Sequence, residues 1–324
     1  MLPMEGYLLA RNHCRRIRRS MINFRLHSII TCVIFLLGLK MWAQETFSIQ
    51  ASNGLRMEVI SENTQPSLHM FLPDADGLNS PIEILFPEHV TVRKHGHHEP
   101  EHLYVFRPGK QGKPPSWSHR GNSLEYEKTF RDSLHMLARA TLDEDGLRLE
   151  YTFTNASKGV YDMIYAVTDP RLTSVFHDVL LERTYVHHPE GFALLASETP
   201  ERLHMPLNKW LPCRYHASYT WPVPSALIRS GANGITYYNK SYPVDYPFIA
   251  TLSKDSEWVV ASFTPQLDKV GNVWSNPELT CQHVDPQDAL LSGEHIILEV
   301  SLLIVKGSLE EAFSMARRQM DKGH

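Results

Sequence analysis

The chain has 324 residues, of which 42% are hydrophobic and 21% charged, with 17 glycines and 21 prolines. These are globular proportions, and they exclude a disordered chain, a collagen-like repeat and a small disulfide scaffold. Residues 1–43 hold seven Lys/Arg and one acidic residue, whereas the remaining 281 hold 25 Lys/Arg against 35 Asp/Glu; an acidic body lacks the basic stripe of a nucleic-acid binder.

Ile29 to Leu39 reads IITCVIFLLGL, an 11-residue apolar run. A bilayer span needs roughly 20 such residues. Arg25 precedes the run, and Met41-Trp42-Ala43 follows it. A basic start, a short apolar middle and a small-residue end describe a secretory signal peptide over residues 1–43, cleaved after Ala43. Residues 1–20 read as an upstream extension ahead of Met21, or as a wrongly chosen start. Lys40 interrupts the run, which speaks against a membrane anchor. The expected mature chain is secreted or periplasmic and has no stable membrane span. It keeps Cys213 and Cys281, which can equally form a disulfide or stay as two buried thiols.

The body, residues 44–324, reads as one domain of strands. Ser123–Phe130 and Leu134–Leu142 alternate, with Asp132-Ser133 as a hairpin step between them. Leu147, Leu149, Tyr151 and Phe153 alternate with polar partners, so one face is buried. Asp143-Glu144-Asp145-Gly146 turns into that strand. Further strands are expected at Ala226–Arg229, Ile235–Tyr238, Phe248–Leu252, Trp258–Phe263 and Glu294–Val305. One helix follows, with Ser308 as N-cap, Glu310 and Glu311 in its first turn, and Arg317 and Arg318 near its end. Ala312, Met315, Ala316 and Gln319 are expected to face the sheet. His89–Arg120 and Thr199–Pro224 fit neither period and read as long loops, which in a compact domain are often functional.

Three constellations could carry chemistry. Trp274–Pro286 reads WSNPELTCQHVDP and contains Glu278, His283 and Asp285. A carboxylate and an imidazole can serve as general base and acid when their pKa values are tuned. In a regular strand Glu278, Thr280, Gln282 and Val284 share one face and His283 points the other way; an aromatic-bounded edge strand is the structural alternative. His177-Asp178 with Glu182, Arg183 and Tyr185 is the second constellation, and it reads equally as surface charge between strands. Trp210–Trp221, WLPCRYHASYTW, is the third. Its Arg214, His216, Tyr219 and Trp221 offer flat apolar faces with polar edges that suit sugar rings, with Trp117 and Trp274 as further aromatics. The alternative is aromatics that anchor a loop. His95, His97, His98 and His102 could ligate a metal, but a solvated polar loop explains them, and Asp74-Ala75-Asp76-Gly77 reads as a β-turn. No metal or other cofactor is called for. No GxSxG elbow, GxGxxG or P-loop is present, so hydrolase-triad and nucleotide chemistry lack support.

The strand LRLEYTFTNAS, Leu147–Ser157, resembles the Tyr-x-Leu-Thr-Asn strand of galactose mutarotase-like proteins. Glu278-Leu279-Thr280-Cys281-Gln282, then Asp285-Pro286, then Leu290-Leu291-Ser292-Gly293-Glu294 is similar to that family's Glu-x-x-Gln, Pro-Asp and Leu-x-Pro-Gly-Glu series. The resemblance implies an all-β fold: a large antiparallel β-supersandwich with one C-terminal helix and a carbohydrate cleft. It also implies Glu278 as the base that takes the anomeric hydroxyl proton. The segment after the Asn strand, YDMIYAVTDPRL, holds no histidine, so the acid falls to His283 or His177. Polysaccharide lyases share the fold, and there His216, Tyr219 and Arg214 would be of the right type. The implied function is acid–base chemistry on a sugar or polysaccharide, of epimerase or lyase kind. The alternative is a non-catalytic glycan-binding or accessory module, with Trp117, Arg214, His216, Tyr219, Trp221, Trp274 and Asp285 as substrate contacts.

Overall fold

The computed structural model describes residues 47–60, 64–73, 81–195, 215–221, 227–230, 236–239, 244–275 and 279–322. The strands follow in chain order. The first six are β1 (Ser48–Gln50), β2 (Arg56–Val59), β3 (Ser67–Phe71), β4 (Ile82–Lys94), β5 (Glu101–Leu103) and β6 (Ser118–Arg120). Next come β7 (Ser123–Thr129), β8 (Leu134–Asp143), β9 (Gly146–Asn155), β10 (Tyr161–Arg171), β11 (Thr184–His188) and β12 (Gly191–Leu194). Then come β13 (Tyr215–Trp221), β14 (Leu227–Ser230), β15 (Thr236–Asn239), β16 (Phe248–Leu252) and β17 (Trp258–Phe263). The last are β18 (Val270–Ser275), β19 (His283–Leu290), β20 (His295–Lys306) and the helix α1 (Leu309–Met320).

The strands make two sheets. An 11-stranded sheet runs β1-β2-β3-β4-β10-β19-β18-β13-β15-β14, with β5 added to β4. A 9-stranded sheet runs β12-β11-β16-β17-β20-β9-β8-β7-β6. Among the described pairs only β13 and β15 are parallel. The fold is therefore all-β, and residues from Thr46 to the C-terminus fall in one compact unit.

Period-two patterning explains the layering. On β9, Leu147, Leu149, Tyr151 and Phe153 are buried between the sheets, as expected. They meet Ile82, Ile84 and Phe86 of β4 and Ile164 and Ala166 of β10 in one core cluster. Fully burying such a side chain contributes roughly 1.5–3 kcal/mol. The 9-stranded sheet is apolar on its other face as well. There Val259, Ala261 and Phe263 of β17 and Leu303 of β20 pack under Leu309, Ala312, Ala316 and Met320 of α1. The helix thus presents positions three and four residues apart. Met320 replaces the expected Gln319, which is only half-buried.

Ser308 caps α1 as its sequence suggested. Its hydroxyl accepts from Glu311 N at 3.2 Å, and Glu311 Oε2 accepts from Ser308 N at 2.7 Å. Ser308→Ala removes half of this capping box, and we expect a loss of about 1 kcal/mol in a urea melt. An unchanged midpoint would show that tertiary packing alone fixes this end.

Two expectations are corrected. His89–Arg120 is not wholly irregular: β4 continues to Lys94, and β5 and β6 lie within the segment. Val90 and Val92 face the core through a short alternation masked by the His- and Lys-rich sequence around it. The Trp274–Pro286 stretch is not an edge strand, because β19 lies between β10 and β18. Within Thr199–Pro224 only β13 is described; Cys213, Arg214 and the rest of that loop lie outside the described residues, as do the leader and Asp74–Gly77. Among the described residues no helix is long and apolar enough to cross a membrane.

Candidate functional site

Gln282 separates the two faces of the 11-stranded sheet. It lies between the sheets, where Nε2 donates to Val260 O and Thr251 Oγ1, both at 2.9 Å, and Oε1 accepts from Ser262 Oγ at 3.0 Å. Alternation then places Cys281, His283 and Asp285 on the opposite, outer face. Thr280, at φ 48, breaks the strand just before them. The same logic works on β10. Thr168 bonds Tyr151 in the core at 2.8 Å, so Asp169 and Arg171 point outward.

β10 and β19 are neighbours, and the ladder continues through Arg171 opposite Cys281 and Gln282 N donating to Pro170 O at 3.1 Å. Asp169 therefore stands across from His283. His283 Nε2 lies 3.3 Å from Asp169 Oδ1 and 3.0 Å from Cys281 Sγ. Arg171 Nε donates to the other carboxylate oxygen, Asp169 Oδ2, at 2.7 Å, and its Nη1 is 3.8 Å from Glu83. From β18, the Trp274 ring stacks on His283 with centroids 3.6 Å apart and planes 4° apart. Its indole N–H donates to Asp285 Oδ2 at 2.7 Å. Asp169, Cys281, His283 and Asp285 are 2%, 1%, 0% and 2% exposed.

Burial and close charge set the electrostatics. Burial alone would lower the His283 pKa, but Cys281 and Asp169 beside it hold it well above the imidazole range. Burial pushes Asp169 up, yet His283 and Arg171 outweigh it, so the carboxylate sits below its ordinary value. Burial raises Asp285 to about 6, and burial with the nearby Asp169 charge raises Glu88. His89 is pushed down to about 4 by burial, then by His102 and His283. Its ring meets His102 edge-on at 4.4 Å. Three oxygens and nitrogens of the cluster, Asp169 Oδ1, His283 Nδ1 and Asp285 Oδ1, are buried without a hydrogen bond among the described residues. Buried polar atoms are normally satisfied, and these three have no hydrogen-bond partner among the described residues.

Of the residues expected from sequence, the structure brings Trp274, His283 and Asp285 together. His177 is exposed, with Nδ1 3.5 Å from Thr280 Oγ1, at the entry to β19. Its neighbour Asp178 is structural: the carboxylate accepts from Glu182 N, Arg183 N and Thr184 Oγ1. Arg183 likewise spends its guanidinium on Leu252 O and His177 O. Trp117 is half-buried: it stacks on Phe86 and meets Tyr126 edge-on, packed against the core. Its apolar ring is used as an anchor for the loop. The four histidines do not converge: His95 pairs with Asp162 at 3.0 Å, His102 bonds Thr91 at 3.0 Å, and His97 and His98 are exposed. His216, Tyr219 and Trp221 lie on β13, beside β18. Glu278 lies outside the described residues.

Sequence reasoning missed Asp169, Arg171, Glu88 and Cys281. Cys281-Gln282-His283-Val284-Asp285 carries the signal, since three polar residues at every second position share a strand face. Asp169 and Arg171 repeat that spacing.

The solved structures give the comparison. The chain is similar in fold to galactose mutarotase-like proteins. One from Lactobacillus casei shares 11% identity over 80% of this chain and 100% of its own, with a TM-score of 0.40. A galactose mutarotase related enzyme from Lactobacillus acidophilus shares 10% over 82% and 98%, with a TM-score of 0.45. An alpha-N-acetylgalactosaminidase from Bifidobacterium bifidum shares 8% over 84% of this chain and 38% of its own, with a TM-score of 0.46. No protein-family model and no curated protein sequence matches the chain.

Proposed function

We propose that the protein is exported and performs acid–base chemistry on a sugar or polysaccharide, of aldose epimerase or lyase type. The observation that carries this reading is the outer-face cluster of Glu88, Asp169, His283 and Asp285 around the Trp274 ring, with three buried polar atoms that have no hydrogen bond among the described residues. An indole beside carboxyl groups suits a sugar, whose ring offers apolar C–H faces and whose hydroxyls need both donors and acceptors.

In this reading Glu278, five residues ahead of His283 in the sequence, is the base. Of the two candidate acids, His177 is exposed, with its ring beside Thr280, whereas His283 is enclosed and engaged with Cys281. His177 is therefore the proton donor, and His283 with Asp169 organises the floor. The shared demand on both chemistries is a base at the proton to be removed and an acid at the leaving or ring oxygen.

The test is a binding screen of the purified protein against mono- and polysaccharides, uronates included. Each ligand that binds is then followed by NMR for anomeric exchange and by ultraviolet absorbance for an unsaturated uronate. Glu278→Gln is expected to lower turnover at least about 100-fold while binding persists. Turnover equal to wild type would remove Glu278 from the chemistry. The enclosure of His283 and Asp285 favours a second reading, a glycan-binding module without catalysis. Binding with no turnover in the wild-type protein would establish it, and no sugar binding at all would end both.

A further inference from the structure

Asp169, Cys281 and His283 bring one oxygen, one sulfur and one nitrogen within 4.8 Å of one another, all buried. Thiol, imidazole and carboxylate also make a nucleophilic relay, so the two arrangements have to be separated. A relay uses both imidazole nitrogens, one toward the thiol and one toward the carboxylate. Here a single atom, Nε2, faces both Cys281 Sγ and Asp169 Oδ1, at 3.0 and 3.3 Å. Nδ1 has no partner among the described residues. One nitrogen carries at most one proton and cannot serve two neighbours in a relay. Asp169 Oδ1 makes no hydrogen bond among the described residues, although it is enclosed beside that nitrogen.

Three donor atoms that converge on one point satisfy a cation instead. We propose that Asp169 Oδ1, Cys281 Sγ and His283 Nε2 bind a zinc-type divalent transition-metal ion on the outer face of the 11-stranded sheet. Zinc takes sulfur at ~2.3 Å and nitrogen or oxygen at ~2.0–2.2 Å, which sets tetrahedral donors about 3.4–3.6 Å apart. The nitrogen–oxygen separation of 3.3 Å falls close to this, the nitrogen–sulfur separation of 3.0 Å is shorter by about half an ångström, and all three atoms lie within 4.8 Å of one another. The mixed donor set selects against calcium and magnesium, which demand oxygen, and suits a borderline ion. Carboxylate and thiolate supply two negative charges to a dication. Arg171, on Asp169 Oδ2 at 2.7 Å, turns the other oxygen toward the site, as partners of metal ligands do. The strands hold the set side by side: β10 and β19 share a ladder here. Three protein ligands leave a fourth position, which in zinc sites takes water or a substrate oxygen. The site stands whether or not the protein acts on sugars.

The test is a cobalt(II) titration of the full-length protein, stripped with a chelator and kept reduced. We expect one equivalent to bind, with visible bands of a tetrahedral ion and a near-ultraviolet thiolate-to-cobalt charge-transfer band. Equimolar zinc should bleach both. The charge-transfer band should vanish in Cys281→Ser and persist when Cys14, Cys32 and Cys213 are all serine. Asp169→Asn should weaken binding at least 10-fold. X-ray absorption of the zinc-loaded wild-type protein gives a reading that needs no variant: one sulfur and a remainder of nitrogen and oxygen neighbours. An absent charge-transfer band, a band that survives Cys281→Ser, or a zinc shell without sulfur would overturn the proposal.

Discussion

Gln282→Ala is expected to cost the fold about 4 kcal/mol. Deleting the amide takes a partner from three buried groups at once: Ser262 Oγ, Thr251 Oγ1 and Val260 O, the last of which keeps its place in the β16–β17 ladder. Each stranded buried group costs about 1–3 kcal/mol, less where a neighbour takes over. Thr251 keeps Thr184 Oγ1 at 3.0 Å, which trims the sum. The lost methylenes and the cavity add to it. Urea denaturation should show a lower midpoint at nearly constant slope. A loss under about 1 kcal/mol would mean that water or a shifted side chain replaces the amide. The variant also bears on the site, because Gln282 sits between Cys281 and His283. A floor that loosens should lower metal affinity and stability together.

The second large effect is one of pH. His89 titrates near 4 in the fold, lowered by burial and by His102 and His283, against a usual value of 6.5. The folded protein therefore takes up this proton later than the unfolded chain. The stability from neutral His89 is complete above about pH 6.5 and is lost as pH falls toward 4. At ~1.36 kcal/mol per unit, the full loss approaches about 3 kcal/mol. Glu88, Asp169 and His102 face His89 and also titrate, so the informative quantity is a difference between two proteins. Between pH 7 and pH 4, wild type should lose about 3 kcal/mol more than His89→Gln, measured by unfolding at each pH. Parallel losses in both proteins would show that His89 carries no part of the acid sensitivity.

Local period made much of the fold legible. Leu147, Leu149, Tyr151 and Phe153 alternate because one sheet face meets the core, and that pattern survives in any context. The capping box at Ser308 is equally local. β10 hid its role because it lies mid-sheet and its sequence, YDMIYAVTDPR, is apolar on both faces from Met163 to Val167. Nothing short-range says that this strand lies beside β19. The site depends on that pairing, so Asp169 was invisible while His283 and Asp285 were not. Trp117 shows how context enters: a tryptophan in a long loop reads as a ligand platform, and only the fold shows its ring half-buried against the core beside Phe86. Cys281 was overlooked as a ligand because its spacing to His283 matters only once Thr280 is known to start a new strand alignment.

Asn155 ties off the far end of the β10–β19 pair. Its amide donates to Gly159 O at 2.8 Å and Leu291 O at 3.2 Å, and its carbonyl accepts from Ser157 N at 3.1 Å. One side chain thus ties the turn before β10 to the turn after β19. These strands run in opposite directions, so that knot lies at the far end of the pair from Asp169 and His283. With a rise of ~3.3 Å per residue, the eight steps from Tyr161 to Asp169 span roughly 26 Å. A slip of one residue along this pair would swing His283 inward and bring Gln282 out. The ladder shifts register once, between Tyr161 and Ile164, so Asn155 closes one end of the pair, while the alignment of Asp169 with His283 is held by the pairing beyond that irregularity.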